Sequence, residues 1–216
     1  MIYISLGGSC SVAYQLQNLG LRKEAYPFDW VTTPSLGTVI NLFENNFDGF
    51  LDTAVQTSVS DKFHISDDDD FPSDNNKINK QSIIMKNKYG VAFYHDFYEN
   101  CNVDEIKKKY QRRVDRLYEL IKSDCEICFV RDELKINNIK TSEIEKFIEV
   151  ILGINKNAKF KIVIVVHNPN NKKSDIFNYL NERVKIVNDV GKFGSWVRDG
   201  VDWKGVFVYD KIDVCL

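Results

Sequence analysis

Cys10 stands in "SLGGSCS", between an apolar run, "MIYISL", and a segment of helical spacing, "SVAYQLQNLGL". A thiol is a latent nucleophile whose reactivity is set by its pKa. At a helix start, unpaired N–H groups and a partial positive charge favour an anion. The position therefore predicts a lowered pKa for Cys10. The amides around Ser9 and Cys10 are also suited to hold an oxyanion. Gly7 and Gly8 let the chain turn tightly and leave room for a substrate beside the thiol. Two other readings fit the same residues: a buried cysteine at a glycine-rich turn, and a helix N-terminus that cradles a phosphate. "GGSC" is an incomplete GxGxxG, so a dinucleotide is poorly supported.

A thiol nucleophile needs a base. The chain has three histidines, His64, His95 and His167. His64 adjoins an acidic stretch and is read as exposed. His95, in "YGVAFYHDF", and His167, at the end of "KFKIVIVV", both compete for the role. Asp29, Asp96, Asp132 and Asn168 are the candidates to orient the imidazole, the third place in a triad. "PFDW" puts Asp29 between aromatic residues, where a buried structural carboxylate and a pocket-lining one are both reasonable. Arg131 follows the strand-like "CEICFV" and is a candidate clamp for a carboxylate or phosphate. Arg112, Arg113 and Arg116 fall on a long helix and are read as mostly solvated. Trp196 and Trp203 are read as core packing.

The remaining cysteines argue for structure. Five in all, at positions 10, 101, 125, 128 and 215, make a disulfide framework a poor fit to a chain of 216 residues. Cys125 and Cys128 form a CxxC inside an apolar run, where residues three apart on a strand face opposite ways. They read as small buried hydrophobes, with no second ligand pair to complete a zinc site. The run "DDDD", Asp67 to Asp70, fits no EF-hand spacing and reads as a solvated loop.

The elements that must position these groups follow from periodicity. "MIYISL" predicts a buried strand, "SLGTVINLFENNF" a helix capped by Ser35, and "AYPFDWVTTP" a loop. A polar surface loop or insertion is expected at about 61–88. "YGVAFYHDF" reads as a strand. "VDEIKKKYQRRVDRLYELIKS" reads as an amphipathic helix with a buried stripe of Ile106, Tyr110, Val114, Leu117, Tyr118 and Ile121. "CEICFV", "KFKIVIVV", "RVKIVND" and "GVFVY" read as strands, with "TSEIEKFIEVIL" and "KSDIFNYLNE" as helices between them. Near-continuous apolar strands alternating with helices predict an α/β fold: a three-layer αβα arrangement on a mostly parallel, Rossmann-like sheet. The Cys-bearing turn joins its first strand to its first helix, at the carboxyl edge where ligands gather in such sheets. One α/β domain over 1–216 is expected.

Composition narrows the partners. A net charge of -2 offers no basic field for a phosphate backbone, so nucleic acid is not expected. No apolar run reaches membrane-spanning length and the first residues do not resemble a signal peptide, so a cytoplasmic protein with no membrane partner is expected. The chemistry requires no metal and no cofactor.

In order, "SLGGSCSVAYQLQNLGLR", "YPFDWV", "FYHDF", "YQRRVDRLYELI" and "CFVRDE" resemble a family known as DUF1796, labelled a papain-like cysteine peptidase. The likeness covers most of the chain from Ile2 to about Asp132, and more loosely the rest through "DWKGVF". It implies Cys10 as nucleophile and His95 as base. Papain-like domains pair a Cys-bearing helix with a His-bearing antiparallel sheet, whereas the C-terminal half here reads as βαβα. A nucleophile after a first strand also resembles SGNH-type esterases, although no late DxxH is present. The sequence thus favours a cysteine hydrolase acting on a peptide, with Cys10, His95, and Asp96 or Asp29 as its catalytic groups. Gly7, Gly8, Ser9, Arg131 and His167 are its substrate-side candidates. The alternatives are a Rossmann-like or SGNH-like enzyme acting on a glycan or phosphorylated small molecule, and a non-catalytic binding module.

Overall fold

The computed structural model describes residues 1–63 and 81–207. His64, Cys215, the Asp67–Asp70 run and most of the proposed polar loop lie outside the described residues. The first sheet is parallel, with β1 (Ile2–Ser5), β6 (Glu126–Glu133), β7 (Lys159–His167) and β8 (Val184–Asp189) side by side in that order. Their middle residues are the apolar runs, and in β6 and β7 these are buried because both sheet faces are covered. Ile127, Phe129, Ile162 and Ile164 point into one core, with Leu117 and Ile121 of α3 (Val103–Lys122) and Phe147 and Ile151 of α4 (Thr141–Ile154). Cys128, Val130, Val163 and Val165 alternate to the other face. There they meet Val12 and Leu16 of α1 (Ser11–Asn18) and Trp203, Val206 and Phe207 of α5 (Trp203–Phe207).

The second sheet is antiparallel, ordered β2 (Val31–Thr32), β5 (Ala92–Phe93), β4 (Gln81–Lys86) and β3 (Val55–Phe63). Its register aligns Val31, Phe93 and Met85 in one row and Thr32, Ala92 and Lys86 in the next. The first row faces the shared core and the second faces outward. Edge-on aromatic contacts tie the antiparallel sheet to α3 through Phe50, which meets Phe93 and Tyr110 at 5.4 and 5.6 Å, and Phe43 meets Phe47 at 5.3 Å. Phe43 lies on α2 (Leu36–Glu44), which begins as predicted with Ser35 Oγ accepting from the Thr38 N–H at 3.2 Å.

Several local expectations are corrected. "AYPFDWVTTP" contains β2, and residues 81–86 of the supposed loop form β4. "YGVAFYHDF" is a strand only at Ala92–Phe93, so His95 lies just past it. "KSDIFNYLNE" forms a single 3-10 turn at Asp175–Asn178, and Val206–Phe207 of "GVFVY" belong to α5 rather than a strand. The long helix α3 buries its predicted stripe except for the half-buried Tyr118, and adds Arg113, fully buried under the Tyr110 ring at 5.1 Å. Arg113 is thus not solvated. No helix among the described residues is long and apolar enough to cross a membrane.

Candidate active site

The Cys10 turn is seated on the end of β6. Leu6 N–H donates to Val130 C=O at 2.7 Å, extending the β1 pairing by one residue. Gly7 and Gly8 then adopt φ of +72° and +86°, which L side chains avoid. At Gly8 no other residue fits, because a Cβ would lie 1.9 Å from the Asp132 carbonyl oxygen. On the far side of the turn the Asp132 carboxylate, fully buried, accepts from Ser11 Oγ at 2.7 Å and Ser9 Oγ at 3.2 Å. Asp132 thus grips the turn with its backbone and its side chain, and Cys10 emerges as the residue before α1.

Arg131, expected as a ligand clamp, is instead an internal tie with no exposed surface. Its guanidinium donates to Glu133 at 2.9 and 3.0 Å, to Leu6 C=O at 3.1 Å and to Thr33 Oγ1 at 2.7 Å. Thr33 Oγ1 in turn accepts from the Gly8 N–H at 3.0 Å. The arginine therefore fixes the Cys10 turn through Thr33.

Cys10 Sγ lies 3.8 Å from His95 Nε2. The thiol comes from the parallel sheet's edge and the imidazole from the end of β5, so the two sheets meet at this pair. Trp30, from "PFDW", packs its ring edge-on to the imidazole at 5.8 Å between centroids. Beneath lie the two predicted carboxylates. Asp29 is 2 % exposed and accepts from Arg22 Nε at 3.1 Å and from the Tyr26 N–H at 3.0 Å. Asp96 accepts from Lys109 Nζ at 2.5 Å and from Tyr110 Oη at 2.6 Å.

These surroundings set the charges. Burial opposes ionisation of Asp96, but the Lys109 and Arg113 cations and the bonds from Lys109 and Tyr110 outweigh it and hold the carboxyl at about 2. Burial raises the pKa of Asp29 against the pull of Arg22. The Cys10 thiol is pushed up to about 12, first by burial, then by the charges of Asp96 and Asp29, against the pull of its own backbone N–H. This reverses the lowered pKa expected from the helix start. With a side chain 8 % exposed, desolvation outweighs the ends of one eight-residue helix. The resting pair is a neutral thiol beside an imidazole.

His167 belongs to a second polar cluster at the carboxyl edge of the parallel sheet. Its Nδ1 lies 2.9 Å from Arg198 and 3.0 Å from Asp189. Arg198 donates to Asp189 at 2.7 Å, so the three side chains form one cluster. Arg198 also bonds both Asp132 oxygens, at 3.2 and 3.3 Å, and takes a left-handed φ of +56° to do so. Its carbonyl accepts from the buried Trp203 indole at 2.8 Å. Asp132, Arg198 and Asp189 support the Cys10 turn from behind. Sequence reasoning raised Asp132 only as a possible orienting acid and did not find Arg198 or Asp189, since neither sits in a motif. Asn168, another candidate to orient the imidazole, instead bonds Asn188 and Lys172.

The CxxC divides. Cys128 is buried as expected, but Cys125 precedes the apolar part of β6 and is exposed. Trp203 packs in the core, while Trp196 is 47 % exposed and meets Tyr14 edge-on at 5.2 Å. Among the described residues no cluster of three or more His, Cys, Asp or Glu is placed to hold a metal.

Comparison with known proteins agrees with the motif order. The chain is 33 % identical over 219 residues to Uncharacterized protein R408 of Acanthamoeba polyphaga mimivirus, covering 96 % of this chain and 97 % of that one. No solved structure matches the chain. The profile of one family spans residues 1–170, a stretch that includes Cys10, His95, Asp29, Asp96 and Asp132. The chain belongs to that family, DUF1796, whose description is "Putative papain-like cysteine peptidase".

Proposed function

We propose that the protein is a thiol hydrolase in which Cys10 is the nucleophile and His95 the general base. The observation that carries this is the 3.8 Å approach of Cys10 Sγ to His95 Nε2 at the start of α1, in a family described as cysteine peptidases. Attack forms a bond from sulfur to the substrate carbonyl carbon while the thiol proton passes to Nε2. The oxyanion meets the N–H groups of Ser9 and Cys10, which make no hydrogen bonds to protein oxygens among the described residues. Collapse expels the leaving group, protonated by His95, and leaves a thioester. Water activated by the same imidazole then releases the acid and restores the thiol. Because the thiol is neutral at rest, the proton must move as the carbon–sulfur bond forms.

Asp96 and Asp29 act through the field under the pair: their charges favour an imidazolium and oppose a resting thiolate. Gly7, Gly8 and Ser9 shape the turn, Arg131 anchors it through Thr33, and His167 supports it through Arg198. We read the whole as a three-layer, Rossmann-like sheet with an antiparallel sheet added to deliver the histidine.

The test is acyl transfer from p-nitrophenyl acetate. Release of nitrophenolate with an acetyl group found on Cys10, lost in Cys10→Ala and strongly slowed in His95→Ala, is the expected result. Hydrolysis that survives Cys10→Ala would overturn the assignment.

A further inference from the structure

A cleft of about 590 Å³ runs from the catalytic turn across the outer face of the antiparallel sheet. Its floor is the outward row of that sheet, Thr32, Ala92 and Lys86, and its far wall is the segment after β6 that carries Lys135. One end is formed by Gly8, two residues before Cys10, and by Tyr94, which precedes His95. The cleft is thus continuous with the chain segments that hold both catalytic groups.

Its chemistry is lopsided. Thr57, Ser58 and Thr32 supply hydroxyls. The one acid, Glu133, is neutralised by Arg131 at 2.9 Å. Lys86 and Lys135 are exposed, and among the described residues neither ammonium makes a hydrogen bond or an ion pair. Elsewhere on this surface lysines do find carboxylates: Lys88 meets Asp48 at 3.4 Å and Lys146 meets Glu44 at 3.1 Å. Among the described residues, then, two cations without a carboxylate partner face a groove that holds no free acid. Charge complementarity calls for an anionic occupant.

We propose that this cleft binds the acidic side of a peptide substrate, with carboxylates meeting Lys86 and Lys135 while the scissile carbonyl lies at Cys10. This rests on Cys10 as nucleophile and adds the substrate class. An extended peptide lying across the strands would meet hydroxyls at both edges of the sheet face, Thr32 on β2 and Thr57 and Ser58 on β3.

The experiment uses affinity alkylation, site-mapped by mass spectrometry. Three probes are compared: bromoacetyl-Gly-Asp-Glu-amide, its uncharged counterpart bromoacetyl-Gly-Asn-Gln-amide, and bromoacetyl-Gly-phosphoserine-Gln-amide. In each, the Cys10 sulfur bonds to the methylene carbon, bromide leaves with the electron pair, and the thiol proton passes to His95. The exposed Cys125 in the same molecule reports intrinsic probe reactivity. At low ionic strength the Asp-Glu probe should modify Cys10 about fivefold faster than the Asn-Gln probe after normalisation, the scale of two solvent-exposed charge pairs. That preference should vanish in the Lys86→Gln, Lys135→Gln double variant and shrink as salt screens it. Equal rates for the charged and uncharged probes, or a preference that survives the double variant, would overturn the inference while leaving Cys10 as nucleophile. A phosphoserine probe that outpaces the Asp-Glu probe would overturn the carboxylate assignment. A Cys10 inert to all three while Cys125 reacts would overturn the nucleophile itself, and this inference with it.

Discussion

Replacing Gly8 by alanine tests whether the Cys10 turn rests on β6. Two costs arise. At φ of +86° an alanine is strained, by about 1–2 kcal/mol for a left-handed L residue. Its Cβ would also lie 1.9 Å from the Asp132 carbonyl oxygen, a backbone atom that cannot swing away. Overpacking of this kind adds about 1–3 kcal/mol, for a total of about 2–5 kcal/mol. Gly20 separates the two terms. It has φ of +68° but nothing within 4 Å of its Cβ position, so Gly20→Ala should lose only about 1–2 kcal/mol. In a chain of this size 1 kcal/mol moves the melting temperature by about 2–4 °C. The two variants should therefore melt about 2–12 °C apart, with Gly8→Ala lower. Urea titration gives the free energies directly, and Cys10 alkylation in the folded variants reports whether the thiol has shifted. Equal melting temperatures would refute the reasoning, because the Gly8 backbone would then not lie against Asp132.

Asp132→Ala removes the acceptor of Ser9, Ser11 and Arg198; with Arg198 still held by Asp189, urea unfolding should show a loss of about 3 kcal/mol. Asp96 is held at about 2, below its ordinary value of 3.8. A depressed carboxyl stabilises the fold above its unfolded pKa and loses that contribution as pH falls through the folded one. Acid titration of stability should therefore show about 2 kcal/mol disappearing over that window, and Asp96→Asn should lack this component. Ser35→Ala should cost about 1 kcal/mol through loss of the α2 cap, read from the urea midpoint.

The parallel sheet was legible because its middle strands are buried on both faces and carry continuous apolar runs, as in Ile127–Val130 and Ile162–Val166. Cys10 was legible because two glycines and a helical period bracket it. The antiparallel sheet was hidden for physical reasons. β2 and β5 are two residues long, too short for a period, and β3 is an edge strand whose residues 55–59 are all exposed, so no apolar alternation marks it. That sheet resolves the conflict between the βαβα pattern and the family description, since it brings the histidine to the thiol from outside the parallel sheet. The thiol pKa was misjudged because the helix start is visible in sequence while the burial of Cys10, and the closeness of Asp96 and Asp29 to it, are not. Arg198 and Asp189 were missed because their roles depend on β6, β7 and β8 ending side by side.

The measurement that tests the central claim most directly is the pH dependence of Cys10 alkylation, read by mass spectrometry in wild type and in His95→Ala, with Cys125 as the internal reference. The account predicts that wild-type Cys10 reacts near neutral pH because His95 takes its proton. In His95→Ala that reactivity should be lost near neutral pH and return only under alkaline conditions, because burial and the charges of Asp96 and Asp29 oppose ionisation of the thiol by itself. Identical profiles in the two proteins would contradict it, since the imidazole at 3.8 Å would then do nothing for the thiol.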